Sequence, residues 1–266
     1  MPQTEKPKTI NAMKRVVKVV KKCVRRSLNL VGYDIHQYEP PPPAPPPPPA
    51  PKELILPKVP VTSILNGSVP VKILEPEHTN GNVTILELLV LNTLVARLSP
   101  DFLFEIGTFD GRTTLNITAN AGPGAQSFTL DLPRQELSNT VHALESTELL
   151  YADKEVSGRR FKNTPMDKQI VQLFGDSAKF DFAPYGSKAG FIFIDGSHSY
   201  DYVKNDSKVA LGLATRPSYI VWHDYEPTWM GVVTHLEELY QEGGDFAGLK
   251  NIEGTALAVL AVGTSL

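Results

Sequence analysis

The sequence predicts an α/β protein with a doubly wound, mostly parallel sheet, and three observations carry that expectation. Short apolar runs at 102–106, 127–131, 169–174, 190–195, 218–223 and 255–261 alternate with helical patterns near 111–120, 134–150, 199–213 and 229–241. Several runs end in an acid or a glycine turn, as strands do where a sheet presents a ligand. No internal repeat interrupts this alternation.

The N-terminal part reads differently. Between Ile10 and Leu28 the apolar residues Ile10, Met13, Val17, Val20 and Val24 recur at intervals of three and four, with Lys and Arg at most other positions, so residues 1–39 are expected to form a basic amphipathic helical tail. Four readings stand open for it: a peripheral membrane contact, an acidic protein partner, a solvated tail, or, as a lesser option because the segment is acid-poor but not rich in Ser, a transit peptide. Residues 40–51 contain ten prolines in twelve positions and read as a polyproline spacer. Residues 52–77, punctuated by Pro57, Pro60, Pro70 and Pro76, read as an extended connector.

The folded domain is expected over 78–266. Thr84 with Glu87 three residues on makes a capping box, and 85–98 is apolar on nearly every face, so a buried helix should end at Ser99-Pro100. The polar stretch 151–168 reads as a lid or acceptor-contacting loop.

Composition narrows the function. A chain of 266 residues with 41% hydrophobic and 21% charged side chains can bury one sizeable core. The single cysteine, Cys23, permits no internal disulfide and no thiolate cluster, which suggests a cytoplasmic protein. No apolar run is long enough to span a bilayer, and no secretory pattern follows the basic start. The net charge of −3 conceals +8 over residues 1–26 and −11 over the remainder. A body that acidic repels phosphate, which argues against nucleic-acid binding.

The chemistry-bearing residues cluster at the ends of the apolar runs. The first strand-to-helix turn is Glu105-Ile106-Gly107-Thr108-Phe109-Asp110-Gly111. Its glycines let backbone approach a ligand, and the helix that follows offers N-terminal amides. The spacing lacks the glycine that admits a dinucleotide pyrophosphate. Asp131 closes the second strand 24 residues after Gly107, where a doubly wound fold places a carboxylate for ribose hydroxyls. Phe174-Gly175-Asp176-Ser177 follows the third strand. Two further strands end in Asp195-Gly196-Ser197-His198 and Trp222-His223-Asp224-Tyr225, 29 positions apart, so neighbouring strands would point Asp195, His223 and Asp224 into one crevice.

With these motifs the chain resembles class I S-adenosylmethionine-dependent methyltransferases over roughly 78–261, and in particular the methyltransferase family 24 type, the bacterial group that includes sugar and macrolide O-methyltransferases. The resemblance implies a seven-stranded Rossmann-like sheet with an antiparallel last strand. It implies S-adenosyl-L-methionine held by Glu105, Gly107, Thr108 and Gly111, its ribose by Asp131 and its adenine by Asp176 and Ser177. It further implies Asp195, His223 and Asp224 near a Mg²⁺, with His198 and Asp195 as the catalytic pair and His198 as the base. A hard ion prefers oxygen, so His223 points either to Mn²⁺ or Fe²⁺ or to a contact outside the metal shell. The expected acceptor is a small or saccharide hydroxyl compound, and a homo-oligomer is compatible. Two other classes remain open: a catalytically silent scaffold in glycan assembly, and a Rossmann-type oxidoreductase, against which the missing pyrophosphate glycine argues.

Overall fold

A computed structural model describes residues 8–32, 52–77 and 79–266 of the chain. The proline run and the expected domain start at His78 lie outside the described residues. Two units separate, Met1–Ala50 and Pro51–Leu266. The first contains α1 (Lys8–Asn29), which carries no acid in its first turn and Arg26 in its last.

The second unit is built on one eight-stranded sheet. In chain order its elements are β1 (Lys58–Val59), α2 (Val61–Ile64), α3 (Ile85–Leu98), β2 (Phe102–Ile106), α4 (Arg112–Asn120), β3 (Gln126–Asp131), α5 (Leu149–Ala152), β4 (Ile170–Phe174), β5 (Ala189–Ile194), α6 (Tyr200–Leu213), β6 (Ala214–Trp222), α7 (Met230–Glu242), β7 (Lys250–Ile252) and β8 (Ala258–Val262). Across the sheet the order is β1-β7-β8-β6-β5-β2-β3-β4. Every pairing is parallel except those of β8, which runs antiparallel to both β6 and β7.

One strand exceeds the expected seven. The connector supplies it: β1 pairs with β7, with the Asn251 amide donating to the Pro57 carbonyl and the Glu253 amide to the Val59 carbonyl. Leu56 and Ile64 beside it are buried, so apolar burial draws the connector into the domain despite its prolines. The compact unit accordingly starts well before residue 78.

Both faces of the sheet are covered. Phe104, Ile106, Ile192, Ile194, Ile220 and Trp222 pack with α6 and α7 on one side. Leu103, Phe191, Phe193, Tyr219 and Val221 pack with α3 on the other. The period-2 alternation of each strand thus feeds two cores, which is why β5 is apolar at every position. Helix α3 starts with the expected capping box, Thr84 and Glu87 satisfying each other's backbone donors, and ends at Ser99 in the left-handed region.

The helix expected over 134–150 does not form. A single 3₁₀ turn at Arg134–Glu136 precedes irregular chain up to α5. Ser138, Asn139 and Thr140 favour local side-chain bonds over helix, and the Val141 amide donates instead to Asp176 Oδ2 at 2.8 Å. The loop at 151–168 is anchored in part: the Gly158 and Arg160 amides donate to the Phe109 and Asp110 carbonyls, Arg160 pairs with Asp110 at 2.6 Å, and Phe161 is buried.

Candidate functional site

Strand order runs outward in opposite directions from β2 and β5, so a crevice opens between them at the carboxyl edge, where doubly wound sheets bind ligands. Ladder bonds continue past the strand ends and fix the register of what lies there. The Gly107 amide donates to the Leu130 carbonyl, the Asp195 amide to Ile106, and the His223 amide to Ile194. Four strand ends distant in sequence, those of β6, β5, β2 and β3, are therefore side by side before any side chain acts.

Gly107 is required at this point. Its φ is 96°, and a Cβ there would stand 2.0 Å from the Asp195 carbonyl oxygen. It lines the cleft together with Asp131, Asp176, Ser177, Asp195 and His198. Thr108 sits at the turn, its amide 3.4 Å from Asp131 Oδ1 and its hydroxyl 2.7 Å from that of Thr129.

Two expected cofactor contacts fall elsewhere. Gly111, with φ of 84°, begins α4 and faces Phe161, where a Cβ would meet the ring at 2.5 Å; its role is packing. Glu105 points beneath the cleft, fully buried, and accepts from the Thr114 and Thr129 hydroxyls. Residue 105 lies inside β2, short of its carboxyl end, and its carboxylate is enclosed by Thr114 of α4 and Thr129 of β3. Burial pushes the Glu105 carboxyl up to about 8 despite those two bonds.

Beside the cleft lies a cluster of acids and imidazoles. His198 Nε2 is 2.7 Å from Asp224 Oδ2, and Nδ1 is 3.0 Å from Glu148 Oε1. The Trp229 ring stacks on the imidazole at 3.8 Å between centroids, which favours a cationic ring. Burial alone would lower the His198 pKa, but the Asp224 and Glu148 carboxylates outweigh it and raise it to about 9. His223 Nδ1 is 3.1 Å from both Asp195 Oδ1 and Asp224 Oδ2, while Nε2 is 3.5 Å from Glu87 Oε2. Burial again opposes, and the acids, Asp195 first, raise the His223 pKa well above its ordinary value. Burial pushes the Glu87 carboxyl upward, but His223 and the Thr84 and Ala256 amides bring it down to about 2.

Among the described residues, Asp195, His198 and Asp224 have ligand atoms within 4.8 Å of one another, the spacing a metal ion needs. The expected set contained His223 in place of His198. His223 instead braces the two aspartates from behind, with both ring nitrogens turned to carboxylates. Four carboxyl groups (Glu87, Glu148, Asp195, Asp224) surround two imidazoles, an acid excess of two that a divalent cation would balance. The residues present therefore fit such an ion. Two carboxylates and one imidazole suit Mn²⁺ or Fe²⁺ better than Mg²⁺.

Glu148 and Val141 carried no signal in the sequence, whereas Lys154 belongs to the stretch read as a lid or acceptor-contacting loop. Glu148, Lys154 and Val141 all come from the irregular segment before and after α5. Glu148 accepts from the Ser197 hydroxyl at 3.0 Å and from the His198 amide, and Lys154 pairs with Asp131 at 2.8 Å. Trp222, by contrast, is core, its indole donating to Ser207.

A glycine-turned β2, acids closing β3 and β4, and an acid–imidazole cluster after β5 and β6 define a class I, S-adenosylmethionine-dependent methyltransferase. Residues 104–225, a little under half of the chain, match a family model described as a methyltransferase domain. No curated protein matches the chain. Among solved structures, the O-methyltransferase TomG from Streptomyces achromogenes, in complex with S-adenosylmethionine, shares 15% identity and a TM-score of 0.50, covering 75% of this chain and 95% of its own. An O-methyltransferase from Bacillus cereus, in complex with S-adenosylhomocysteine, shares 14% identity and a TM-score of 0.47, covering 69% and 84%. At such identities the likeness to TomG speaks for the fold.

Proposed function

We propose that this domain transfers the methyl group of S-adenosylmethionine to a hydroxyl of a small, saccharide-type acceptor. The convergence of Asp195, His198 and Asp224 on the rim of the cleft that holds Gly107, Asp131 and Asp176 carries the reading. Asp131 suits the ribose hydroxyls and Asp176, with Ser177, the adenine amine, since carboxylates accept from both. The close approach of Gly107 to Asp195 supports a cofactor whose sulfonium end would face the acid–imidazole cluster.

In the reaction the acceptor oxygen attacks the methyl carbon, the S–C bond breaks with its electron pair left on sulfur, and the hydroxyl proton passes to His198. The product is the methyl ether and the thioether S-adenosylhomocysteine. Displacement of this kind needs alignment and exclusion of water above all, which the strand-end register and the 141–154 segment supply. His198 must be neutral to accept the proton, and Asp224 and Glu148 then stabilise the imidazolium that forms. A divalent ion held by Asp195, His198 and Asp224 would act as a Lewis acid on the acceptor oxygen. With such an ion bound, His198 would serve as one of its ligands rather than as the base.

Calorimetric titration with S-adenosylmethionine tests the reading first: absence of binding at millimolar cofactor removes it. Transfer of labelled methyl to a panel of glycosides and polyols, with and without chelator, then tests the acceptor class and the ion.

A further inference from the structure

The methyltransferase reading leaves α1 unused. At about 100° per residue on a helical wheel, Met13, Val16, Val17, Val19, Val20 and Val24 fall in one half of the circumference, and every Lys and Arg from Lys14 to Arg26 falls in the other. No acid occurs anywhere in the helix. The apolar half is exposed: Met13 is 74% exposed, Val16 and Val19 61%, and Val24 48%.

Each kind of occupant uses these two halves differently. Nucleic acid would engage the cations and leave six apolar side chains in water. A second copy of the helix would bring two rows of like charge together with no acid to pair them, along an apolar face much wider than a two-in-seven seam. Water alone gives no reason to keep valines, weak helix formers, on one face. An anionic bilayer surface uses both halves at once: the valines reach the boundary between headgroups and acyl chains, while the Lys and Arg side chains extend to the lipid phosphates. A helix of 22 residues is roughly 33 Å long, and no described helix is apolar enough to cross a membrane, so it would lie in the surface plane. Along the chain, ten prolines over 40–51 separate this basic stretch from residues 52–266, whose 17 basic and 26 acidic side chains give a charge of −9, which an anionic surface repels.

We propose that α1 is an interfacial helix that docks the chain on an anionic lipid surface, the half carrying Met13, Val16, Val17, Val19, Val20 and Val24 buried below the headgroups. The test is co-sedimentation of the full chain with vesicles of phosphatidylcholine alone or mixed with phosphatidylglycerol. The wild type should pellet with the mixed vesicles and remain in solution with the neutral ones. Val17→Asp with Val20→Asp should weaken that partition by about tenfold or more. Lys18→Glu with Lys21→Glu and Lys22→Glu should do the same while keeping the apolar face intact. Equal partition to both vesicles, no partition, or undiminished binding by either variant overturns the proposal. A dimer in lipid-free solution that the valine variant dissolves, without vesicle binding, assigns the face to a second copy and overturns it too. None of these readouts depends on methyl transfer.

Discussion

The cleft and the acid–imidazole cluster share Asp195 and His198, yet they are assembled in different ways. The cleft is made by the sheet. Gly107, Asp131, Asp176 and Asp195 each end or follow a strand, and backbone bonds set their spacing. The cluster is completed by side chains from outside the sheet: Glu87 from α3, Glu148 from irregular chain, and Trp229 from the cap of α7. The difference teaches that a parallel sheet places a cofactor site through its topology, whereas the charge state of the catalytic groups is set by whatever packs over the edge.

The largest effect is expected in the cluster. His198→Ala should lower turnover by roughly 10²–10⁴, the range for a lost general base, with cofactor affinity by calorimetry unchanged. Equal loss of cofactor binding would dissolve the distinction between the two regions. Because a base must be neutral, metal-free turnover should rise with pH through the His198 pKa of about 9. A pH–rate profile that is flat from about 7 to about 9 would move the base elsewhere.

A second effect concerns the cleft floor. The Glu105 carboxyl titrates near 4.5 in the unfolded chain and about 8 in the fold, because burial favours its neutral form. Between those values the unfolded chain binds fewer protons, so stability is complete below the lower value and falls as pH rises toward the upper one. The loss should be on the order of a few kcal/mol, read as a declining denaturation midpoint. Glu105→Gln, which can still accept from Thr114 and Thr129, should flatten that decline.

Legibility follows the same division. Strands 102–106 and 218–223, and helices 85–98 and 199–213, were readable because hydrophobic periodicity and caps are local. Strand β1 was not, since two residues between prolines have no period; only tertiary pairing with β7 makes them a strand. The 134–150 segment has enough Leu and Glu to suggest a helix, but its polar residues bond across to the strand ends. Glu87 could be read as a capping residue from the spacing Thr84-x-x-Glu87, and it is one. Its second task, facing His223 across 136 positions, leaves no trace in the order of residues. His198, expected as a neutral base, lies between two carboxylates that come from positions 50 before and 26 after it.

Glu148→Gln tests whether the segment before α5 belongs functionally to the cluster. The amide retains the shape but loses the charge that holds the imidazolium. The His198 pKa should fall, and the alkaline limb of the metal-free pH–rate profile should shift toward neutrality. Turnover at high pH should drop only about tenfold, as expected for a positioning group rather than the base. An unchanged profile would make Glu148 a structural clasp.

The smallest effect is expected where the same segment meets the cleft. Lys154 occupies Asp131 at 2.8 Å, the carboxylate assigned to the ribose, and its ammonium is mostly enclosed. A ribose and an ammonium compete for the same oxygens, so the cofactor must displace this contact before it binds fully. Lys154→Met keeps the apolar stem against the cleft wall and removes the competitor. If the ion pair contributes about 1 kcal/mol, cofactor affinity should tighten by roughly fivefold, visible by calorimetry as a lower dissociation constant. Weakening by a similar factor would instead make Lys154 a cofactor ligand, and the segment part of the cleft rather than a cover over it.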